Sequence, residues 1–329
     1  MTIELSQDPP ALTPELAALL ELIAVEDGPP VDPTLLPPVE GRALAARSNA
    51  RWNVDLPAMS RVGEMFVLAD AELGSAKCRV RALVPELAKA GAVLFVHGGG
   101  FAFCSPETHE RCARLLAREC QLPVLMPDYR LSPEHPYPAG LRDVIACLRT
   151  IAASPALFGV ARGPLLVAGD SAGANLALAA MLHEQRRGRA LPQGGLLFYG
   201  VYGADHETPS HRRFADGPGL TTAKMRRYWD WYLPDEARRK EPLAAPLHAA
   251  DAELRSLPPL HLLAAGIDPL LSDTIALSRR LEALGRRDRV TIVPGVIHGF
   301  LQMSASLEAA RNAIAEAGAA ARRFAQTSH

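Results

Sequence analysis

The stretch Gly169-Asp170-Ser171-Ala172-Gly173 decides the fold of this 329-residue chain. The apolar run Leu165–Ala168 precedes it, and the residues Asn175–Gln185 that follow have helical spacing. A serine flanked by glycines, at a turn from strand to helix, is typical of a nucleophile elbow, whose serine adopts strained backbone angles. Larger side chains at the two glycine positions would collide with neighbouring backbone. An ordinary Gly-Ser turn into a helix has the same pattern, so the motif needs support from the rest of the chain.

Short apolar runs alternate with helical stretches from about residue 62 onward. Several runs are continuously apolar, as strands buried on both faces of a parallel sheet are. The alternation predicts an α/β fold with a mostly parallel eight-stranded sheet flanked by helices, and an antiparallel hairpin where the first two strands lack a helix between them. The predicted strands are Glu64–Leu68, Cys78–Val84, Val93–Val96, Val124–Pro127, Leu165–Ala168, Leu196–Tyr199, Leu260–Ala264 and Val290–Val293. The predicted helices between and after them are Thr108–Cys120, Leu141–Ala153, Asn175–Gln185, Ser272–Leu284 and Ser304–Phe324.

Two regions depart from this alternation. The first fifty residues are rich in proline and hold one amphipathic helix candidate, Pro14–Ala24, so we interpret residues 1–50 as an N-terminal cap segment. Residues 202–250 separate two predicted strands by far more than an ordinary crossover, and we expect them to form a cap insertion that walls a pocket. Residues 51–201 and 251–329 then form the two parts of the core.

Composition narrows the classes of partner. Lys and Arg total 35 against 36 Asp and Glu, so nothing favours nucleic acid or an anionic membrane surface. The first ten residues carry acids and prolines where a secretory signal has a basic segment and an apolar run, and no stretch has the length of a membrane span. The five cysteines lack CxxC pairing, which predicts reduced thiols in a cytoplasmic protein and argues against a metal site or a disulfide framework.

A second glycine-rich stretch, His97-Gly98-Gly99-Gly100-Phe101, follows a predicted strand. Three consecutive glycines are costly in an ordinary loop, but they suit a place where backbone amides must approach a ligand closely. In acyl transfer the carbonyl oxygen becomes an oxyanion, and each preorganised N–H donor stabilises it by about 3–4 kcal/mol at most. We expect the amides of Gly99, Gly100 and Ala172 to be these donors and His97 to be structural. A phosphate-binding loop would require a different glycine spacing.

A serine nucleophile needs a base within reach of its hydroxyl. His298 lies in a loop directly after the predicted strand Val290–Val293, as a base at a strand carboxyl end would. His261 lies inside an apolar strand, His248 lies in the insertion, and His329 is the terminal residue. These positions favour His298.

The base in turn needs a carboxylate that fixes its tautomer. Asp268 follows the predicted strand Leu260–Ala264 immediately, and in this chain order the acid stands between serine and histidine. Asp273 is the rival, five residues further on at the start of a helix, where a helix N-cap would explain it. Asp170 is too close to the serine to reach the base, and we expect its side chain to anchor the elbow.

Five motifs between residues 97 and 300 together resemble the hormone-sensitive lipase family of esterases, also called bacterial family IV, in the α/β-hydrolase superfamily. They are HGGGF at 97–101, YRLSPEHPYPA at 129–139, GDSAGAN at 169–175, GIDPL at 266–270 and HGF at 298–300. The resemblance implies a triad of Ser171, Asp268 and His298, and an oxyanion hole of Gly99, Gly100 and Ala172. It also implies a helical cap and cofactor-free hydrolysis of short-chain acyl esters, in a family that often forms homodimers. Ser132 and Ala174 depart from the family pattern without removing a group that the chemistry uses.

Two alternatives to a carboxylesterase remain at this point. The same residues could act on amides, lactones or carbamates, because the choice of leaving group depends on the shape of the pocket. A non-catalytic ligand receptor is the other, although such relatives lack the catalytic histidine and this chain has one. Four aromatic residues are candidate pocket walls, with ordinary core packing as the competing explanation. They are Phe101, Phe103, Tyr202 and Phe300.

Overall fold

A computed structural model of the protein describes residues 11–326 and is built around an eight-stranded sheet. The strands are β1 (Arg61–Val67), β2 (Cys78–Val84), β3 (Ala92–Val96), β4 (Val124–Asp128), β5 (Leu165–Asp170), β6 (Gly194–Phe198), β7 (Leu260–Ile267) and β8 (Arg289–Ile297). Their spatial order is β1-β2-β4-β3-β5-β6-β7-β8. β2 pairs antiparallel with both β1 and β4, and the remaining pairs are parallel. The predicted fold class and edge hairpin are confirmed.

Helices cover both faces of this sheet. No helix within residues 11–326 is both long enough and apolar enough to cross a membrane. One of the long helices, Pro38–Ala50, was not predicted from the sequence. The α-helices are α1 (Pro14–Asp27), α2 (Pro38–Ala50), α3 (Glu110–Cys120), α4 (Ala139–Ala153), α5 (Ala172–Arg186), α6 (Pro209–Arg213), α7 (Thr222–Tyr232), α8 (Asp251–Arg255), α9 (Leu271–Ala283) and α10 (Glu308–Gln326).

The core lies on the two faces of the central strands. Every residue of β3 is buried, and alternate side chains point to opposite faces. Leu94 belongs to the cluster formed with α4 and α5, whereas Phe95 belongs to the cluster formed with α3 and α10. A fully buried apolar side chain of this size contributes about 1.5–3 kcal/mol relative to an exposed one. The two packed layers therefore hold rigid the strand ends on which the candidate site residues stand.

The N-terminal segment is attached to the rest of the chain by polar contacts. Arg227 of α7 donates to Thr34 Oγ1 at 2.6 Å and forms an ion pair with Asp32. Arg42 of α2 donates to the carbonyl oxygen of Ala102 at 2.8 Å, just beyond the glycine loop. Residues 11–50 thus contact both α7 and the loop that follows β3. The predicted helix at 14–24 is present, with Leu16 buried; residues 1–10 lie outside the described residues.

The five cysteines are all free thiols. Cys78, Cys112, Cys120 and Cys147 are buried, and Cys104 is partly exposed. Burial raises the pKa of the Cys104 and Cys120 thiols to about 12. The thiols of Cys104 and Cys120 are therefore protonated and poorly nucleophilic in the folded protein.

Candidate active site

Ser171 stands at the turn between β5 and α5 with φ 54° and ψ −120°, a conformation that an L residue rarely adopts. Its amide donates to the carbonyl oxygen of Phe198 at the end of β6, at 2.9 Å. A Cβ at Gly169 would stand 2.5 Å from the carbonyl carbon of Gly173, and one at Gly173 would stand 2.6 Å from the carbonyl oxygen of His97. The turn can therefore form only with glycine at both places, as the sequence argument required.

Three predicted residues meet in one hydrogen-bonded chain. His298 Nε2 lies 2.9 Å from Ser171 Oγ, and His298 Nδ1 lies 2.7 Å from Asp268 Oδ2. Asp268 is completely buried, and its other carboxylate oxygen accepts the amide of Leu270 at 2.8 Å. Because an ionised carboxylate can only accept, Nδ1 of His298 carries the proton and Nε2 is left free to accept from the serine hydroxyl.

The sheet places these three residues at one edge. Ser171 follows β5, Asp268 follows β7, and His298 follows β8. The three strands run parallel, so their carboxyl ends lie on the same side of the molecule. Residues far apart in the chain are thereby brought together by strand order alone.

Asp273, the rival acid, has a different role from the helix N-cap suggested by its position. It is the third residue of α9, and the residue before that helix, Leu270, makes no side-chain cap. Asp273 Oδ2 instead accepts the amides of Tyr202 and Gly203, at 2.7 and 2.8 Å. Burial raises the pKa of Asp273 to about 7, although the two amide donors act to lower it. The N-cap expectation was wrong because the carboxylate is turned toward a distant loop.

The glycine loop lies beside the serine. Gly99 and Gly100 both have positive φ, and within residues 11–326 their amides donate to no protein acceptor. Ala172 is the first residue of α5, where amide groups and the helix dipole present partial positive charge. These three amides are therefore available to an oxygen atom bound near Ser171.

The four aromatic residues predicted as pocket walls are all buried, with at most 2% of each exposed. The Phe101 ring stacks on Tyr232 of α7 with centroids 3.7 Å apart. The Phe103 ring meets Tyr228, also of α7, at 5.9 Å. These contacts are those of packed interior rings, and a wall role stays a prediction for Phe101, Phe103, Tyr202 and Phe300.

Tyr199 is a site residue that the sequence argument missed. It follows β6 with φ 37°, and its ring stands at 63° to the His298 imidazole with centroids 4.9 Å apart. The predicted strand Leu196–Tyr199 included it as an ordinary strand residue. Tyr199 comes directly after β6, at the sheet edge that also carries Ser171, and this position is the signal that could have identified it as a site residue.

Of the histidines considered as the base, the structure joins His298 to Ser171 by a hydrogen bond and joins neither His261 nor His248 to it. His261 is buried inside β7, and neither of its ring nitrogens has a partner among the described residues. His248 is exposed in a 3₁₀ turn, and His329 lies outside the described residues. Across residues 11–326 no three His, Cys, Asp or Glu side chains are grouped so that they could hold a metal ion.

The sheet order and the serine at the β5–α5 turn together define a hydrolase of the α/β class. Residues 93–302 match the family profile described as the α/β hydrolase fold. The protein belongs to this family, and its resemblance to esterases of the hormone-sensitive lipase type is confirmed by its relatives.

These relatives include a carboxylesterase similar in sequence and two esterases of known structure. The chain is 35% identical to the carboxylesterase NlhH of Mycobacterium tuberculosis over 233 residues, which are 70% of this chain and 73% of that one. A thermostable esterase from Pseudomonas putida aligns at 30% identity with a TM-score of 0.89, over 98% of this chain and 100% of that one. An ester hydrolase from the metagenome of Lake Arreo, solved with a bipyridine phosphonate derivative, aligns at 32% identity with a TM-score of 0.88, over 96% and 100%.

Proposed function

We propose that the protein is a serine carboxylesterase that hydrolyses short-chain acyl esters through Ser171, His298 and Asp268. The observation that carries the proposal is the continuous hydrogen-bond chain from Ser171 Oγ through His298 to Asp268. The esterase relatives and the motif resemblance support the choice of ester as substrate.

The proposed reaction begins when His298 Nε2 takes the proton of Ser171 Oγ, and the oxygen attacks the ester carbonyl carbon. The tetrahedral intermediate collapses as protonated His298 gives its proton to the leaving alcohol. Asp268 stabilises the imidazolium throughout. Water then attacks the acyl-enzyme with His298 again as base, which releases the acid and restores the serine.

The carbonyl oxygen becomes negatively charged in this sequence. We propose that the amides of Gly99, Gly100 and Ala172 receive it, because they are unpaired within the described chain and stand beside the serine. Each such donor lowers the barrier most when it is fixed before the reaction starts.

We propose that residues 1–50 and 202–250 form the cap over this site, and that 51–201 and 251–329 form the core. Contacts between α7 and the N-terminal segment support the cap assignment. The homodimer implied by the resemblance is a further proposal, which sedimentation velocity at two protein concentrations would test. The cytoplasmic location stays a prediction.

The decisive experiment measures turnover of p-nitrophenyl butyrate by Ser171→Ala. We expect its rate to fall to the background while its circular dichroism and melting temperature stay those of the parent. Ser60→Ala, an exposed serine bonded to the carbonyl of Val84, is the matched control and should keep full activity. Parental activity in Ser171→Ala would refute the proposal.

Two substrate panels decide between ester and other acyl compounds. p-Nitrophenyl esters from acetate to palmitate give the chain-length preference, which we expect to peak at short acyl chains. The p-nitroanilide of butyric acid tests for amide cleavage, and γ-butyrolactone tests for lactone cleavage. A receptor without catalysis would turn over none of these compounds, yet it would still bind them.

A further inference from the structure

A buried polar cluster lies outside the proposed triad, between the glycine loop and the loop that carries the base. We call it the His109 cluster; it consists of His109, Asp170, Thr108 and Gln302. Asp170 Oδ1 accepts the amide of Gly98 at 2.8 Å and lies 3.3 Å from His109 Nε2. The Gln302 side-chain amide lies 2.8 Å from the same His109 nitrogen. One imidazole thus contacts the residue before the nucleophile and a residue four positions after His298.

Both ring nitrogens of His109 have polar partners. Thr108 Oγ1, which lies 2.8 Å from the carbonyl oxygen of Ser105, is 2.9 Å from His109 Nδ1. His109 Nε2 faces Asp170 and Gln302, and because an ionised carboxylate can only accept, Nε2 donates to Asp170 Oδ1. The side-chain oxygen of Gln302, which has no other partner among the described residues, is then the atom turned toward Nε2, so the ring is held at both ends. His109 is 1% exposed, which leaves water little access to compete.

Asp170 is positioned to fix the backbone conformation of the glycine loop. Burial by itself would raise the pKa of this carboxyl, but the charge and hydrogen bond of His109 and the amide of Gly98 hold it below its usual range. An ionised Asp170 accepts the Gly98 amide and so fixes the peptide between His97 and Gly98. Tyr129 holds the same peptide at its other end, because its hydroxyl donates to the carbonyl oxygen of His97 at 2.8 Å. The next peptide along the chain carries the Gly99 amide.

We propose that His109 is a positioning residue for the oxyanion hole. It holds the Asp170 carboxylate against the Gly98 amide, and it ties this contact through Gln302 to the 3₁₀ turn that follows His298. The inference rests on the proposed esterase function, because it assigns His109 a part in the same site. The polar partners of His109 are Thr108, Asp170 and Gln302, and it hydrogen-bonds to neither Ser171 nor His298, so it acts through its neighbours.

The test replaces the imidazole with a ring of similar shape that lacks nitrogen. We expect His109→Phe to lower kcat for p-nitrophenyl butyrate by about ten- to a hundredfold, less than the loss of a whole donor, with KM within about twofold. His109→Gln should recover most of the rate, because its amide can donate to Asp170 in place of Nε2. His261→Phe is the matched control, since His261 is equally buried but its ring nitrogens have no partner in residues 11–326.

Two inhibitors separate positioning from a general loss of structure. An alkyl trifluoromethyl ketone adds Ser171 Oγ to its carbonyl carbon; the serine proton passes to His298, and the ketone oxygen becomes an oxyanion. The corresponding alkyl methyl ketone binds chiefly without this addition. His109→Phe should raise the inhibition constant of the trifluoromethyl ketone by the same factor by which it lowers kcat. The inhibition constant of the methyl ketone should stay unchanged. Equal weakening of both ketones would overturn the proposal.

Gln302→Met provides a second route if His109→Phe does not fold, because Gln302 is only partly buried and methionine has a similar length. It should reduce kcat in the same pattern but by a smaller factor. Parental kcat in Gln302→Met, or in folded His109→Phe, would reject the positioning role. If Ser171→Ala is inactive while these variants are fully active, the esterase proposal stands and only this inference fails.

Discussion

The ring of Tyr228 packs against Gly100 so closely that a methyl group at Gly100 would stand 2.6 Å from the ring carbon Cδ2. Tyr228 belongs to α7 in the proposed cap insertion, and Gly100 carries one of the proposed oxyanion donors. Gly100 also has φ 60°, where a side chain is strained whatever the space around it. Helix α7 and the glycine loop therefore pack tightly against each other at Gly100, beside the proposed oxyanion hole.

Gly100→Ala should lower kcat for p-nitrophenyl butyrate by about a hundredfold, because the loop must move its amide away from the oxyanion. Adding Tyr228→Ala to that variant removes the obstructing ring and should restore part of the rate, with the strain at φ 60° remaining. A double-mutant cycle in kcat measures the coupling. Strictly additive effects of the two changes would contradict this explanation.

The acid assignment is tested by comparing two carboxylates. Asp268→Asn should reduce kcat by roughly 10⁴-fold, since an amide opposite His298 Nδ1 favours the wrong tautomer. Asp273→Asn should stay within about tenfold of the parent, because Asp273 bonds the amides of Tyr202 and Gly203 and not the base. Steady-state kinetics of the two variants decide between them, and the opposite ranking would exchange their roles.

Asp273 should also make stability depend on pH. Its pKa of about 7 in the folded chain lies above the usual value of 3.8, so the folded state holds a proton that the unfolded state has released between those values. The contribution of Asp273 to the free energy of unfolding then falls with rising pH, by at most about 1.4 kcal/mol per pH unit, and levels above pH 7.

Asp273→Asn lacks this titration and can keep both amide bonds through its side-chain oxygen. The free energy of unfolding of the variant, measured in urea, should therefore increase relative to that of the parent as the pH rises from 4 to 7. Above pH 7 the difference between the two should stay constant. A constant difference between variant and parent over this range would show that Asp273 does not titrate there.

Arg227 should hold the N-terminal segment against α7 through its contacts with Thr34 and Asp32. Arg227→Met removes its bonds to Thr34 and Asp32, which should cost about 1–2 kcal/mol of unfolding free energy. We also expect KM to change more for long than for short p-nitrophenyl esters. The neighbouring Arg226→Met breaks only an exposed ion pair with Glu207 and should have little effect on either measurement. Equal effects of the two variants would argue against the attachment.

The parts of the fold and site that could be predicted are those that the sequence encodes locally. A strand followed at once by a functional residue is a short signal, and it occurs before Ser171, Asp268 and His298. Parallel pairing then brings the three strand ends together without further information. The fold class was predictable for the same reason, because each strand and helix has its own periodicity.

The rest depends on partners that are distant in the chain. Helix α2 has little apolar periodicity and buries only Gly41 within it, so it lacks the apolar stripe by which the other helices were predicted. Its remaining signals, Pro38 at the first position and Glu40 in the first turn, are weaker. Asp273 bonds amides about seventy residues away, and Asp170 meets His109 across some sixty residues. Asp170 was expected to anchor the elbow, but its partner could be found only from the packed structure.

Burial of four of the five cysteines leaves Cys104 as the one thiol that is partly exposed to reagents in the folded state. Cys78 lies in β2, Cys112 and Cys120 in α3, and Cys147 in α4, so labelling any of them requires that part of the sheet or its helices to open. Mass spectrometry of chains pulsed with a maleimide would then count these openings segment by segment. Because the labelling sites are native cysteines, this measurement needs no substitution to report which segment opens first on heating.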